Sequence, residues 1–314
     1  MADNYTQLTD KLALIFWPYL RLTLLFLAGY GLLDGALLQW LPGFDPPSEF
    51  WKFLGPGVVA AALVLLLLWR RLRLLADAKG RGNLSVAMSI IAVVPMAFGT
   101  NYLHEYLRAS LGRLVVLESP ATTDTSHLLG TYYRFQHKYQ TSRYAGIESQ
   151  SNTSDKGRTL NFHLYVVTPL FASPADTGQP ATFWQGLHYS AQISAHASEA
   201  EKKAAYQAFL RRTTTQFEQE EFANPTDYYE RIPNTNERAA YIRAARRTGP
   251  RPPNATSRLL ILKPGQASLA TLKRNSLCYL AGWVSGGTML FLFVLFFPYL
   301  SATNAQAFRI KHHY

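Results

Sequence analysis

The stretch FLGPGVVAAALVLLLLW, from Phe53 to Trp69, decides the class of this protein because it contains no charged residue. A helix rises about 1.5 Å per residue, so about 20 apolar residues cross the roughly 30 Å hydrocarbon core of a bilayer. Arg70 and Arg71 follow directly and end the apolar run. The stretch therefore predicts a transmembrane helix.

Three further apolar runs have the length of a membrane helix: Leu12 to Leu41, Leu84 to Leu103 and Ser276 to Ser301. The run from Leu84 is uncharged and contains Pro95, which predicts a kinked helix. The first run continues for about 20 residues past Arg21 without a small-residue cleavage site, so we interpret it as a retained helix and not a signal peptide. The runs predict a membrane protein with about four transmembrane α-helices, three N-terminal and one C-terminal.

The charges of the loops predict how these helices are oriented. The loop from Arg70 to Asn83 holds five Lys or Arg and one acid, whereas the loop from Leu41 to Lys52 holds one Lys and two acids. Because short basic loops stay in the cytoplasm, both termini are expected to be cytoplasmic and the segment between the third and fourth helices extracytoplasmic. The expected location is the bacterial inner (plasma) membrane, with the lipid bilayer as a partner.

The polar segment 104–274 is predicted to be one extracytoplasmic α+β domain, inserted between the membrane regions 1–103 and 275–314. It contains no cysteine, since the single cysteine of the chain, Cys278, lies in the fourth apolar run. No disulfide can therefore form within the chain. The domain must be stabilised by its own core.

Apolar periodicity predicts the elements of this domain. RTLNFHLYVVTPLF, residues 158–171, alternates apolar and polar side chains as a half-buried strand does. Two helices are predicted to begin at capping-box pairs, Ser198 with Glu201 and Asn234 with Glu237. Further strands are predicted within residues 131–140, 181–194 and 257–265.

A group of arginines forms the most basic patch outside the membrane: Arg238, Arg243, Arg246, Arg247 and Arg251. Such a patch is a candidate site for an anion or partner, whether a lipid headgroup, a peptide carboxylate or another polyanion. The alternative is a solvated helix face followed by a basic loop. Nucleic acid is not an expected partner of an exported domain.

The motif search predicts no catalytic residue, no metal site and no cofactor. His104 in LHEYL lacks the second histidine of the zinc-protease pattern. The chain has no phosphate-binding Gly-Lys-Ser loop, no dinucleotide fingerprint and no redox cysteine pair. The remaining histidines of the domain considered as ligands are scattered over presumed strands: His137, His163, His188 and His196. We therefore expect a non-enzymatic protein.

Arg21 and Asp34 are ionisable residues inside the first apolar run, where a charge is costly and marks a functional candidate. They are about 20 Å apart along a helix and cannot pair with each other. Arg21 is expected to extend toward the cytoplasmic surface beside Trp17 and Tyr19. The sequence offers no explanation for Asp34.

The fourth run contains AGWVSGGTML, from Ala281 to Leu290, in which Ser285 is flanked by small residues. A serine becomes a nucleophile only beside a positioned base, and no later apolar run of the chain carries a histidine. Cys278, Gly282 and Gly286 instead place a small residue at every fourth position, which lets helix backbones approach in lipid. We expect this stripe to pack on a helix of another membrane protein or of a second copy.

Several stretches resemble the N-terminal non-catalytic extension of some bacterial rhomboid-family intramembrane protease-like proteins: GTYYRFQHKYQ, RTLNFHLYVVTPLF, FWQGLHYSAQIS, YYERIPNTNERAAYIRAAR and the segment after LATLKRNSLCYL. The resemblance implies three apolar segments, an exported domain and another span, with a role accessory to an intramembrane protease. The Gly-x-Ser-Gly span and the histidine span of those proteases are missing, so no catalytic residue is carried over. Two alternatives stay open: the N-terminal part of a rhomboid-type serine protease whose catalytic half is absent here, and a ligand-sensing membrane protein.

Overall fold

The computed structural model describes residues 2–41, 44–76, 84–120, 129–219, 227–248 and 259–300. The chain forms two compact units. A helical unit combines Met1–Gly112 with Leu269–Tyr314, and a sheet domain comprises Arg113–Ser268. The domain boundaries thus differ from the predicted ones after residues 103 and 274.

Four helices of the helical unit are long and apolar enough to span a membrane: α1 (Gln7–Trp40), α2 (Phe50–Leu72), α3 (Leu84–Leu111) and α6 (Leu269–Phe296). Helical backbone begins at Ala2 and includes a π-helical turn at Leu12–Phe16. Three of the four helices precede the sheet domain and one follows it, as the apolar runs predict.

The third helix extends beyond residue 103 for a physical reason. The prediction ended the third helix where polar residues begin, but α3 continues through His104 and Arg108 to Leu111. Both side chains are buried, with relative exposures of 9% and 7%. Polar residues can continue a buried helix when other helices supply their partners.

Helices α3 and α6 run antiparallel and pack closely. Phe98 stacks on Trp283 with ring centroids 4.7 Å apart, and Tyr102 stacks on Tyr279 at 5.5 Å. Gly287 lies so close to Pro95 that a Cβ atom added to it would overlap the proline ring. The absence of a side chain at this position therefore sets the separation of the two helices.

A short two-stranded sheet connects distant parts of the helical unit. Strand β1 (Leu75–Ala76) follows α2, and strand β10 (Tyr299–Leu300) follows α6. They pair antiparallel, with Leu75 opposite Leu300. The segment after α6 is thereby hydrogen-bonded to the segment after α2.

The sheet domain is α+β, as predicted. Its strands pair in the order β2 (Leu114–Leu117), β3 (Tyr132–Phe135), β8 (Tyr229–Arg231), β9 (Leu260–Pro264), β7 (Phe183–Ser194) and β6 (Thr159–Phe171), and both β4 (Tyr139–Gln140) and β5 (Gly146–Ser154) pair with β6. The pairs β2–β3 and β7–β9 are parallel and the other pairs are antiparallel.

Two helices pack on the long β6–β7 hairpin. Helix α4 (Glu199–Glu218) packs through Phe209 on the β6 side chains Phe162, Leu164 and Val166. Helix α5 (Asn236–Arg246) packs on the alternate β6 residues, which include Tyr165. The predicted alternation along β6 thus places successive side chains on opposite faces of the sheet.

The predicted start of α4 is confirmed, because Ser198 and Glu201 form a reciprocal capping box. The predicted cap of α5 is wrong by one residue. Thr235, and not Asn234, accepts the hydrogen bond from the backbone N–H of Arg238. Both residue types are good N-caps, so sequence preference did not separate them.

Candidate functional site

Asp34 is the centre of the most highly buried ionisable site in the described part of the helical unit. Its side chain is 2% exposed. The indole N–H of Trp51 donates to Oδ1 at 2.7 Å, and Nδ1 of His104 lies 2.9 Å from Oδ2. Both carboxylate oxygens therefore have partners, which explains how an acid is tolerated within an apolar helix.

A charged pair lies beside Asp34 and His104. Lys52, which follows Trp51, forms an ion pair with Glu105, which follows His104. The buried guanidinium of Arg108 adds another positive charge near Glu105. We call Asp34, Trp51, Lys52, His104 and Glu105 the ionisable cluster; it joins α1, α2 and α3.

Helix lengths locate the ionisable cluster at one end of the apolar region. Arg71 donates to the backbone oxygen of Leu14 at 2.9 Å, so these two residues are level with each other. Leu14 to Asp34, and Trp51 to Arg71, are each about 20 residues or about 30 Å of helix. This separation equals the thickness of a hydrocarbon core.

Arg21 does not join the ionisable cluster. It lies on an exposed face of α1, about 10 Å along the helix from the level of Leu14. A side chain of this length can extend toward the near membrane surface. The expectation for Arg21 stays a prediction, whereas Asp34 now has named partners.

His104 is oriented as in a carboxylate–imidazole dyad, with Nδ1 facing Asp34. Such a pair holds the ring and leaves Nε2 for acid–base chemistry. Within the described ranges, no hydroxyl or thiol hydrogen-bonds to His104. The arrangement thus joins three helices but shows no nucleophile beside the imidazole.

The predicted small-residue stripe of α6 lines an open apolar groove of about 500 Å³ between α3 and α6. A Cβ atom added to Gly282 or Gly286 would meet no atom within 4 Å, and Cys278 is exposed. The close contact with α3 is made by Gly287 instead. The stripe therefore has no partner within the described chain, and its packing on another helix stays a prediction.

Two of the predicted anion-binding arginines are engaged by an acid of the domain. Arg243 donates to Glu148 at 2.9 Å and Arg247 pairs with the same carboxylate. Arg238 donates to the backbone oxygen of Ile232 at 3.4 Å. Arg246 makes interactions of its own, and Arg251 lies outside the described residues. The patch carries less uncompensated charge than its sequence indicates.

A buried polar network crosses the sheet between β4 and β8. Lys138 donates to the hydroxyl of Tyr229, which donates to Gln185 at 3.4 Å, and Gln140 also donates to Gln185 at 3.1 Å. Burial lowers the pKa of Lys138. The network pairs the Lys138 ammonium with the Tyr229 hydroxyl and places the ammonium 4.9 Å from the centre of the Tyr229 ring.

The sheet brings two of the scattered histidines together. Nδ1 of His163 on β6 lies 3.1 Å from Nε2 of His188 on β7. His137 and His196 are exposed and do not join this pair. In the described part of the chain, no group of three or more His, Cys, Asp or Glu side chains is placed to hold a metal ion.

The partners of Asp34 were missed because the sequence was searched for motifs within one segment. Trp51 and His104 are 17 and 70 residues away from Asp34. One signal was available. Lys52, His104 and Glu105 lie at the ends of apolar runs, and Asp34 lies near the end of its own run. Charges at the same predicted membrane surface are candidates to pair.

Comparison with known proteins yields no match to this chain, neither to a family model, nor to a curated protein, nor to a solved structure.

Proposed function

We propose that this chain is a non-catalytic, multi-pass membrane protein that presents its sheet domain outside the cytoplasm as a binding or interaction domain. One observation carries the proposal. The sheet domain is inserted between α3 and α6, which are antiparallel and apolar enough to span a membrane. Both connections to the domain therefore leave the helical unit at the same end.

The distribution of charge supports the orientation. The end opposite these connections carries Arg70 and Arg71 in the last turn of α2 and Arg73 directly after it. Basic residues next to membrane helices favour the cytoplasmic side. We therefore place both termini in the cytoplasm of a bacterial cell and the sheet domain on the other side of the inner membrane.

Alkaline phosphatase fusions test this orientation. Phosphatase fused after Gly130, at the start of the sheet domain, is expected to be active because it is exported. Phosphatase fused after Gly80, in the basic loop, is expected to be inactive because that loop is retained. Enzyme activity normalised to the amount of fusion protein is the measurement, and the reverse pattern would exclude the proposed orientation.

The open groove on α6 supports an interaction within the membrane. No hydrophobic force drives helices together in lipid, so close backbone contact over small residues supplies the attraction. The groove offers this contact at Gly282 and Gly286, with the single cysteine of the chain, Cys278, on the same stripe. A role accessory to an intramembrane protease is one form of this proposal, and self-association is another.

Leucine at Gly282 or Gly286 is expected to abolish association through α6, because the new side chain fills the open groove. Cross-linking of membranes through Cys278 measures this association: a product with twice the mass of the chain indicates self-association, and a product of any other mass indicates another membrane protein. Ser285→Ala is the matched control and should cross-link normally, since interhelical hydrogen bonds in lipid contribute only about 0.6 kcal/mol. Unchanged cross-linking in both leucine variants, or fluorophosphonate labelling of Ser285, would contradict the packing interpretation.

A further inference from the structure

We propose that His163 and His188 form a surface chelate for one divalent transition-metal ion of the Zn²⁺, Ni²⁺ and Cu²⁺ class. Their facing nitrogens, Nδ1 and Nε2, are 3.1 Å apart. Two imidazole nitrogens bound to one tetrahedral Zn²⁺ at about 2.0–2.1 Å are about 3.3 Å from each other. The nitrogens therefore need to separate by only a few tenths of an ångström, and the two rings must turn so that both nitrogen lone pairs converge on one ion.

The β6–β7 hairpin fixes this pair. Tyr165 is directly opposite His188, and His163 is opposite Ser190, so the two imidazoles are diagonal neighbours on one face. The two rings are nearly parallel, with an interplanar angle of 17°. Both ligands thus lie on paired strands, which hold a site more accurately than loops do.

A buried aromatic residue supports the position of His188. The ring of Tyr165 is 6% exposed and stacks on His188 with centroids 4.8 Å apart and planes 8° apart. Tyr165 is itself held edge-on by Tyr241 of α5 at 5.2 Å. The imidazole of His188 is therefore confined before any ion arrives, which reduces the entropy lost on binding.

Metal binding requires the neutral form of an imidazole. Burial lowers the pKa of His188; Glu237 acts in the opposite direction, and His163 and Lys263 lower it further. A neutral ring at neutral pH presents a free nitrogen to the ion. One ring donates its N–H to the other in this pair; on metal binding that proton moves to the outer nitrogen of the same imidazole, which frees both facing nitrogens for the ion.

Two protein nitrogens leave other coordination positions to water. Since no third ligating side chain is placed at this pair in the described residues, the site differs from a closed structural zinc site with four protein ligands. Borderline N-donor ligands select Zn²⁺, Cu²⁺ and Ni²⁺ over Mg²⁺ or Ca²⁺, which prefer oxygen. The bound ion is therefore expected to exchange with solvent, and Mg²⁺ is not expected to bind.

Calorimetric titration of the full-length protein in detergent tests the chelate. The protein is purified without a histidine tag and carries His312→Ala and His313→Ala, because adjacent tail histidines bind the same ions. With ZnCl₂ at pH 7.5 we expect one ion per chain. His163→Ala or His188→Ala should each weaken binding about tenfold or more, a loss at least as large as that from second-shell changes.

The matched controls are His137→Ala and His196→Ala, exposed histidines of the same domain. They should bind Zn²⁺ as the parent does, and MgCl₂ should give no heat of binding. Zn²⁺ affinity should fall as the pH is lowered through the imidazole pKa, because protons compete for the same nitrogens. Equal affinity in the parent and in both ligand variants would overturn the proposal.

Residue-level protection separates metal binding from a folding defect. Diethyl pyrocarbonate modifies accessible neutral imidazoles, and mass spectrometry reports each histidine of the unmutated domain separately. Saturating Zn²⁺ should slow modification of His163 and His188 several-fold and leave His137 and His196 unchanged. Identical modification rates at His163 and His188 with and without Zn²⁺ would exclude the chelate.

Discussion

Replacing Asp34 with leucine is expected to lower the free energy of unfolding of the full-length protein in detergent by about 2–6 kcal/mol, because it leaves two polar groups without a partner, at about 1–3 kcal/mol for each. The change leaves the Trp51 indole and the His104 imidazole without their acceptor. It also leaves the Lys52–Glu105 ion pair beside a His104 imidazole that has lost its acceptor. Denaturant unfolding followed by tryptophan fluorescence provides the measurement.

Glu49→Leu is the matched control, because Glu49 is an exposed carboxylate that precedes α2 near Trp51. Its unfolding energy should change by less than about 0.5 kcal/mol, as for surface substitutions generally. The double variant Asp34→Leu with His104→Leu should lose less than the two single losses combined, since only the Trp51 indole N–H is then left without its acceptor. A midpoint for Asp34→Leu equal to that of Glu49→Leu would show that the ionisable cluster does not stabilise the helices.

Gly287→Ala is expected to destabilise the helical unit by about 1–3 kcal/mol, the usual range for overpacking. The added methyl group would overlap the Pro95 ring, which is rigid and cannot rotate away. Helices α3 and α6 must therefore separate, weakening the Phe98–Trp283 stack. The midpoint of thermal unfolding in detergent measures the effect.

The neighbouring position offers a closely matched control. A methyl group at Gly286 meets no atom within 4 Å, and alanine is about 1 kcal/mol better than glycine inside a helix. Gly286→Ala should therefore leave the midpoint unchanged or raise it. Equal destabilisation by the two alanines would mean that the close approach of α3 and α6 is not at Gly287.

The sequence predicted the features that depend on local pattern. Long apolar runs identified four helices because length and apolarity are sufficient for that inference. The alternation of apolar and polar residues identified β6, and the capping-box pair Ser198 and Glu201 marked the start of α4. Each of these signals lies within one element, so no knowledge of pairing was needed.

Other features depend on contacts between distant segments. Strand β5 reads GIESQSNTS and has almost no apolar residue, so it is a strand only because β6 pairs with it along its whole length. The partners of Asp34 and the meeting of His163 with His188 likewise follow from helix packing and strand register. Neither can be read from composition or spacing in one segment.

The contact between Pro95 and Gly287 has a consequence for biosynthesis. Ribosomes add about 5–20 residues per second, so making Arg113–Ser268 takes roughly 8–30 s. During that interval α3 is complete while α6 does not yet exist. Throughout this interval the nascent helical unit lacks α6. The face of α3 that carries Pro95 is then free to contact other membrane proteins.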